Sequence, residues 1–393
     1  MSAEFIFDSP LVDTADHHRE LRESVSRLVS KFGRRYFQEV VASGKQPTEL
    51  WKELGAAGFL GVQVPEEYGG GGGGLSELNI AIEETAAQGC PLLSMVIAAI
   101  VAPIIAKFGT ELLKRAWLPG IANGTRKMSF AITEPNAGSN THKIATNAQS
   151  RGNGWVLNGA KYWTSGIDEA ESVMVVARHG DPAAPGQRSA LSLFVVPTNA
   201  RGITIHRIDA ALQTPEKQFS VFFDSVELEA EALIGEPGAG LKQVFVGLNS
   251  ERISAAAINN GISRFAITKA AQYAKDRTVW NDPIGAHQGV AHPLAESYIG
   301  VQAARLLTAR AAELCDRGED AAEAANMAKF AAADSSLKAL DQAIQIHGGN
   351  GLSNEYGLAD LWFIARLHKT APVSREMILN YISQHSLGLN KSY

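Results

Sequence analysis

Between positions 128 and 228 the chain abandons the helical periodicity that governs it on either side. WVLNG (155–159), SVMVVARHG (172–180), ALSLFVVPT (190–198), GITIHRI (202–208) and FSVFFDSVEL (219–228) are short, rich in β-branched and aromatic residues, and bounded by Gly, Pro, Asn or Asp. No helical pattern separates them, so they predict an antiparallel β domain rather than βαβ units. Before this block Leu21, Val25, Leu28, Val29 and Phe32 share one helical face, with Gly33 as the expected cap. Trp51, Leu54 and Phe59 mark a short helix that breaks at Pro65, and two more helical patterns cover residues 76–89 and 92–109. After Gly235-Glu236-Pro237-Gly238, Leu241, Val244, Phe245 and Leu248 share a face again, and Ala-rich stretches at 288–315 and 321–346 predict long, closely packed helices. The order is α+β: an N-terminal α-helical domain (1–126), a middle antiparallel β domain (127–237) and a C-terminal α-helical bundle (238–393).

A chain of 393 residues with 45% hydrophobic and 20% charged positions suits a soluble protein of two or three domains. A net charge of −5 argues against a nucleic-acid face. The two cysteines, Cys90 and Cys315, form no CxxC and fit a reducing cytoplasm. MSAEFIFDSP lacks the basic-then-apolar pattern of a signal peptide. The most apolar stretch, residues 91–106, is too short for a membrane span and contains Pro103, so a buried helix is expected. Six consecutive glycines, residues 69–74, predict a mobile loop. GxGxxG, P-loop, HExxH and GxSxG patterns are all missing or broken, no metal site is predicted, and His17-His18 read as a solvated helix face.

Two segments carry chemistry. FAITEPNAGSN (130–140) puts hydroxyls and small residues on a turn where a strand ends, exposing backbone N–H groups to a flat ligand. GAKYWTSG (159–166) sets Trp163 beside the hydroxyls of Thr164 and Ser165. Together with DRTVWNDPIGAHQ (276–288) and QIHGGNG (345–351), they resemble, in order and over nearly the whole chain, the acyl-CoA dehydrogenase family. That resemblance implies an α–β–α fold ending in a four-helix bundle and a bound FAD. Phe130, Ile132, Thr133 and Gly138 would lie against the flavin, with Ser139 there too and contacting the acyl-CoA. Trp163 would wall the ring, and Ser165, standing where the family usually has Thr, would donate a hydrogen bond towards flavin N5. Arg277, whose planar fork matches phosphate oxygens, would meet a neighbouring subunit's FAD with Trp280 and Gln288, as would Gln345, Gly348 and Gly349. A homotetramer built as a dimer of dimers is implied.

The family removes an acyl α-proton with a carboxylate while the β-hydride goes to flavin N5. Counted from QIHGGNG, the usual glutamate position falls on Pro372, which has neither a carboxylate nor an N–H to polarise the thioester, while a register one residue on places Val373 there and restores the N–H. Pro372 equally reads as preceding a helix capped by Ser374. The Arg-Asp pair expected upstream is Phe363-Ile364. Members resembling the isovaleryl and long-chain enzymes carry the base early in the C-terminal domain, where this chain has Glu251 followed by Arg252, the candidate base and substrate-site pair. Small residues at Ala98, Ala99 and 255–257 suggest room for a bulky acyl group. The implied activity is formation of a 2,3-double bond in an acyl-CoA, a step of fatty acid or lipid catabolism, with electrons passed to an electron-transfer flavoprotein. A flavin-binding subunit of a heteromeric dehydrogenase, and a flavin monooxygenase or oxidase of the same fold, stay open.

Overall fold

A computed structural model describes Phe7 and residues 11–12, 15–179 and 190–391. Most of the N-terminal decapeptide lies outside them. The first helices are α1 (Asp16–Val29), α2 (Gly33–Ala42), α3 (Thr48–Ala56), α4 (Leu75–Ala87), α5 (Leu93–Phe108) and α6 (Glu111–Ala122). Gly33 takes φ +70°, beyond the end of α1. The apolar run at 91–106 becomes α5, a core helix that keeps Pro103 inside it. Among the described residues no helix is long and apolar enough to cross a membrane.

The run at 69–74 differs from the mobile loop its composition predicts. Gly71, Gly72 and Gly73 donate their N–H groups to the carbonyls of Gly61, Val64 and Val62. A Cβ on Gly70 would sit 2.0 Å from the Val64 carbonyl oxygen, so missing side chains let two backbone segments touch. Nor is the His17-His18 face purely solvated: His18 Nε2 lies 2.9 Å and His17 Nε2 3.5 Å from Glu77 of α4.

The middle sheet runs β6-β7-β3-β2-β4-β5-β8. Its strands are β1 (Met128–Ala131), β2 (Asn147–Arg151), β3 (Gly154–Ser165), β4 (Ser172–His179), β5 (Ala190–Pro197), β6 (Ile203–Ile208), β7 (Gln218–Leu228) and β8 (Leu233–Ile234). Most pairs are antiparallel, as expected. However, β1 and the start of β2 both pair parallel with β4, because the chain crosses over through β2 and β3 before returning beside β1.

The C-terminal bundle has three long helices, α7 (Gly240–Asp276), α8 (Gln288–Asp316) and α9 (Ala322–His347), with a fourth element divided into α10 (Trp362–Leu367) and α11 (Arg375–Tyr381). A small hairpin, β9 (Thr278–Val279) and β10 (Asp282–Pro283), follows α7. Val244 and Leu248 face the core, whereas Leu241 and Phe245 are exposed at the start of α7. Gly247 lets α7 cross α5 at close range: a Cβ there would lie 2.7 Å from Ile104 and 2.8 Å from Ile100. Further along, Glu83 of α4 accepts from Arg305 at 2.7 Å, Arg264 at 2.9 Å and Arg22 at 3.2 Å, tying α1, α7 and α8 to one carboxylate. Burial pushes that carboxyl up, but the three guanidiniums outweigh it and hold it at about 2.

Candidate functional site

The two motif segments of the β domain meet in space. The Tyr162 N–H donates to the Thr133 carbonyl at 2.8 Å, setting the end of β1 beside β3. The turn after β1 is closed by paired Glu134–Ala137 backbone bonds, and leaves Gly138 and Ser139 exposed. Nothing lies within 4 Å of where a Gly138 Cβ would project, so this backbone is open to a ligand. Phe130 and Ile132 pack partly buried beneath it.

Glu134 anchors the turn. Lys161 Nζ donates to its carboxylate at 2.8 Å and to the Ile132 carbonyl at 3.0 Å, and the Ala145 and Thr146 N–H groups donate to its two oxygens. Both side chains are buried, and burial pulls the Lys161 ammonium down to about 8 despite its partner. Sequence reasoning passed over both residues, although each sits inside a quoted motif as a charge among apolar and small neighbours.

Trp163 breaks the strand alternation. The β3–β7 register shifts between Lys161 and Thr164, and Trp163 adopts φ +58°. A bulge of this kind re-aims a side chain, here leaving the indole 45% exposed beside the open turn. Thr164 is buried within the sheet, so it offers no hydroxyl to a ligand. Ser165 is half-buried and donates to Gln218 Oε1 at 2.9 Å. An exposed indole, a hydroxyl and an open glycine turn together fit a flat aromatic cofactor.

Glu251 lies one turn beyond Gly247, on the α7 face that crosses α5. Among the described residues its carboxylate makes no hydrogen bond or ion pair within bonding distance. Burial pushes its pKa up to about 7, against the opposing pull of Arg252 and Lys329. Arg252 is buried and donates to Asn249 Oδ1 at 2.7 Å. Lys329 of α9, buried and lowered to about 8, donates to the Val373 carbonyl. This lone cation in MAKFAAAD was also missed; charge on the apolar face of an Ala-rich helix was the available signal.

The segment around Pro372 is fastened to α9 at both ends, with Lys369 2.8 Å and Arg375 3.4 Å from Asp334, and with the Arg375 N–H bonded to the Lys369 carbonyl. It carries no carboxylate between 368 and 375. Ser374 caps α11, accepting from the Met377 N–H at 3.3 Å. Of the small residues expected to make room, Ala98 is half-buried and lines a cavity with Ser94, Ile97, Ser165 and Glu216. Ala99 and Ala255, Ala256 and Ala257 are instead fully packed, because small residues there permit close helix contact.

The remaining residues gather at the far end of the bundle. Arg277 ends α7, and Trp280 and Asn281 both take positive φ in the two-residue hairpin that follows, a turn matched to strand twist. Trp280 is 86% exposed. Gln288, Gln345, Gly348 and Gly349 are exposed as well. His347 stacks on Tyr273 at 4.3 Å, and Asn350 donates to the Tyr273 hydroxyl at 3.2 Å, which joins the end of α9 to the end of α7. Arg277 is about 39 Å along the helix axis from Glu251 at ~1.5 Å per residue. The two groups of residues therefore belong to separate regions of one chain.

Over residues 15–125, 129–226 and 238–387 the chain matches, in turn, the families described as acyl-CoA dehydrogenase N-terminal, middle and C-terminal domains. It is 51% identical over 382 residues to acyl-CoA dehydrogenase FadE12 of Mycobacterium tuberculosis, covering 96% of this chain and 98% of that one. Glutaryl-CoA dehydrogenase of Desulfococcus multivorans is 31% identical over 95% of this chain and 96% of its own. A solved glutaryl-coenzyme A dehydrogenase in complex with glutaryl-CoA superposes with a TM-score of 0.91 at 30% identity, covering 96% and 97% of the two chains. Butyryl-CoA dehydrogenase from Megasphaera elsdenii gives 0.89 at 27%, covering 95% and 99%.

Proposed function

This chain belongs to the acyl-CoA dehydrogenase family of oxidoreductases, whose cofactor is FAD, and on that premise we propose that it forms a 2,3-double bond in an acyl-CoA thioester with Glu251 as the base. The observation carrying this reading is the state of that side chain: a half-buried carboxylate with no hydrogen-bond partner among the described residues and a pKa of about 7. A carboxylate raised this far by desolvation, with no bonded partner to offset it, is costly to keep for structure alone, whereas a general base works best with a pKa near the working pH. Bound FAD supplies the hydride acceptor. Glu251 takes the proton from C2 while the hydride leaves C3, so the thioester loses two hydrogens and Glu251 becomes neutral. Arg252 and Lys329 flank the carboxylate and favour its ionised form before the reaction.

The Pro372 segment supports the same assignment by default. It presents no competing carboxylate, and Lys329 occupies the Val373 carbonyl. Electrons would pass to an electron-transfer flavoprotein, with Trp163 as the exposed wall of the ring. Arg277, Trp280 and Gln288, with Gln345, Gly348 and Gly349, would meet the FAD of a second copy, as in a dimer of dimers. An indole 86% exposed on a hairpin tip favours such a covering partner. The free Cys90 and Cys315 are compatible with a cytoplasmic setting.

Anaerobic titration with short, long, branched and steroid-like acyl-CoA thioesters tests the reading. Bleaching of the oxidised flavin band by at least one thioester is expected. An unbleached band across the panel, with rapid oxygen consumption after chemical reduction, would favour an oxidase or monooxygenase.

The pKa of Glu251 sets a pH dependence. Below about 7 the carboxyl is protonated and cannot accept the C2 proton, so the rate of flavin reduction rises with pH and levels off above it. Stopped-flow reduction between pH 5.5 and 8.5 should show that single rise, and a flat profile would count against Glu251. Stability moves the other way. A folded pKa above the unfolded carboxylate value means that stabilisation present below about pH 4.5 is lost as pH rises through 7.

A further inference from the structure

Ser165 and Gln218 are cross-strand partners on β3 and β7, and Gln218 is buried. Its amide is held at both ends. Nε2 donates to the Glu216 carbonyl at 3.2 Å, and Oε1 accepts from Ser165 Oγ at 2.9 Å. Turning the amide over would set Oε1 against the Glu216 carbonyl oxygen, two acceptors facing each other, so the orientation is decided by chemistry. Glu216 is fixed in turn. Its Oε1 accepts from both the N–H and the hydroxyl of Ser94 at 2.8 Å, in the first turn of α5, and its carbonyl also accepts from Thr214 at 3.1 Å.

A serine hydroxyl carries one hydrogen. Donated to Gln218, it is no longer available to a ligand, and Ser165 Oγ turns lone pairs outward. The geometry points to Gln218 as a positioning residue that makes Ser165 a hydrogen-bond acceptor, not a donor, towards the FAD ring. This rests on the reading that Ser165 faces the cofactor, and it reverses the donor role that the family resemblance implies. The ring nitrogen of oxidised flavin offers a lone pair, whereas the reduced ring offers an N–H. An acceptor at Ser165 therefore favours the reduced cofactor and raises its midpoint potential, drawing electrons from the thioester.

Gln218→Leu and Gln218→Met remove the acceptor at similar volume, while Thr214 still bonds the Glu216 carbonyl. Ser165 is then free to turn its proton to the ring. Midpoint potentials of the holoproteins, measured anaerobically against reference dyes, should fall in both variants. One neutral hydrogen bond gained by the oxidised form corresponds to roughly tenfold in the reduction equilibrium, about 30 mV for a two-electron couple. In a Ser165→Ala background, whose own potential differs from that of the unaltered protein, Gln218→Leu should add no shift. If Ser165→Ala moves the potential and the Gln218 variants do not, or if Gln218→Leu shifts it equally in the Ser165→Ala background, the positioning role is wrong while the cofactor site stands. If Ser165→Ala leaves the potential unchanged, the placement of FAD against Ser165 fails, and this inference with it.

Discussion

Glu251→Gln is expected to give a protein that folds and binds FAD but reduces it on the order of 10³-fold more slowly with every thioester that bleaches the unaltered protein. The substitution keeps the shape and removes only the ability to take a proton, and general-base contributions span about 10² to 10⁴. Folding should not suffer, because the carboxylate gives up no hydrogen bond among the described residues. At pH 8 the variant should be at least as stable, since burial disfavours the ionised carboxylate it replaces. Single-turnover reduction and a thermal melt measure both effects. Reduction within tenfold of the unaltered rate would remove Glu251 as the base, and would turn attention to a heteromeric assembly in which a partner subunit supplies it.

The second large effect lies in the β domain. Lys161→Met should cost about 3 kcal/mol of stability, because removing one member of a buried ion pair strands the other. Lys161 is fully buried and Glu134 nearly so. The stranded carboxylate sits under the turn that presents Thr133, Gly138 and Ser139, so FAD affinity should fall together with stability. Urea denaturation of the apoprotein separates the two effects from each other, and FAD titration completes the comparison. A loss below 1 kcal/mol with unchanged FAD affinity would show that Lys161 does not support the turn. Adding Glu134→Gln should recover part of the loss, since a neutral amide is cheaper to bury than an unpaired carboxylate and can keep accepting from the Ala145 or Thr146 N–H.

Much of the candidate cofactor region was legible because its signals are local. FAITEPNAGSN and GAKYWTSG are contiguous, and their strand-to-turn character follows from residue type. Yet the same segments concealed which hydroxyl faces outward. Thr164 and Ser165 are neighbours, and only the bulge at Trp163 decides that Thr164 is buried while Ser165 is reachable. The glycine run at 69–74 shows the converse error. Composition alone permitted looseness, but contact with residues 61–65 uses the missing side chains for close approach.

From sequence alone came the α–β–α order, the apolar helix at α5, the Ala-rich bundle and the candidacy of Glu251, since periodicity, turn chemistry and residue type are encoded within short stretches of chain. Tertiary structure alone decided what those residues can do. The Ser165 hydroxyl donates to Gln218, 53 positions away, and the carbonyl beside Pro372 is held by Lys329, 44 positions away. Burial by segments remote in the chain pushes the Glu251 carboxyl up to about 7, the state that the proposed base requires. Burial and hydrogen-bond direction depend on which distant groups arrive at a point in space, and short-range pattern carries no record of that.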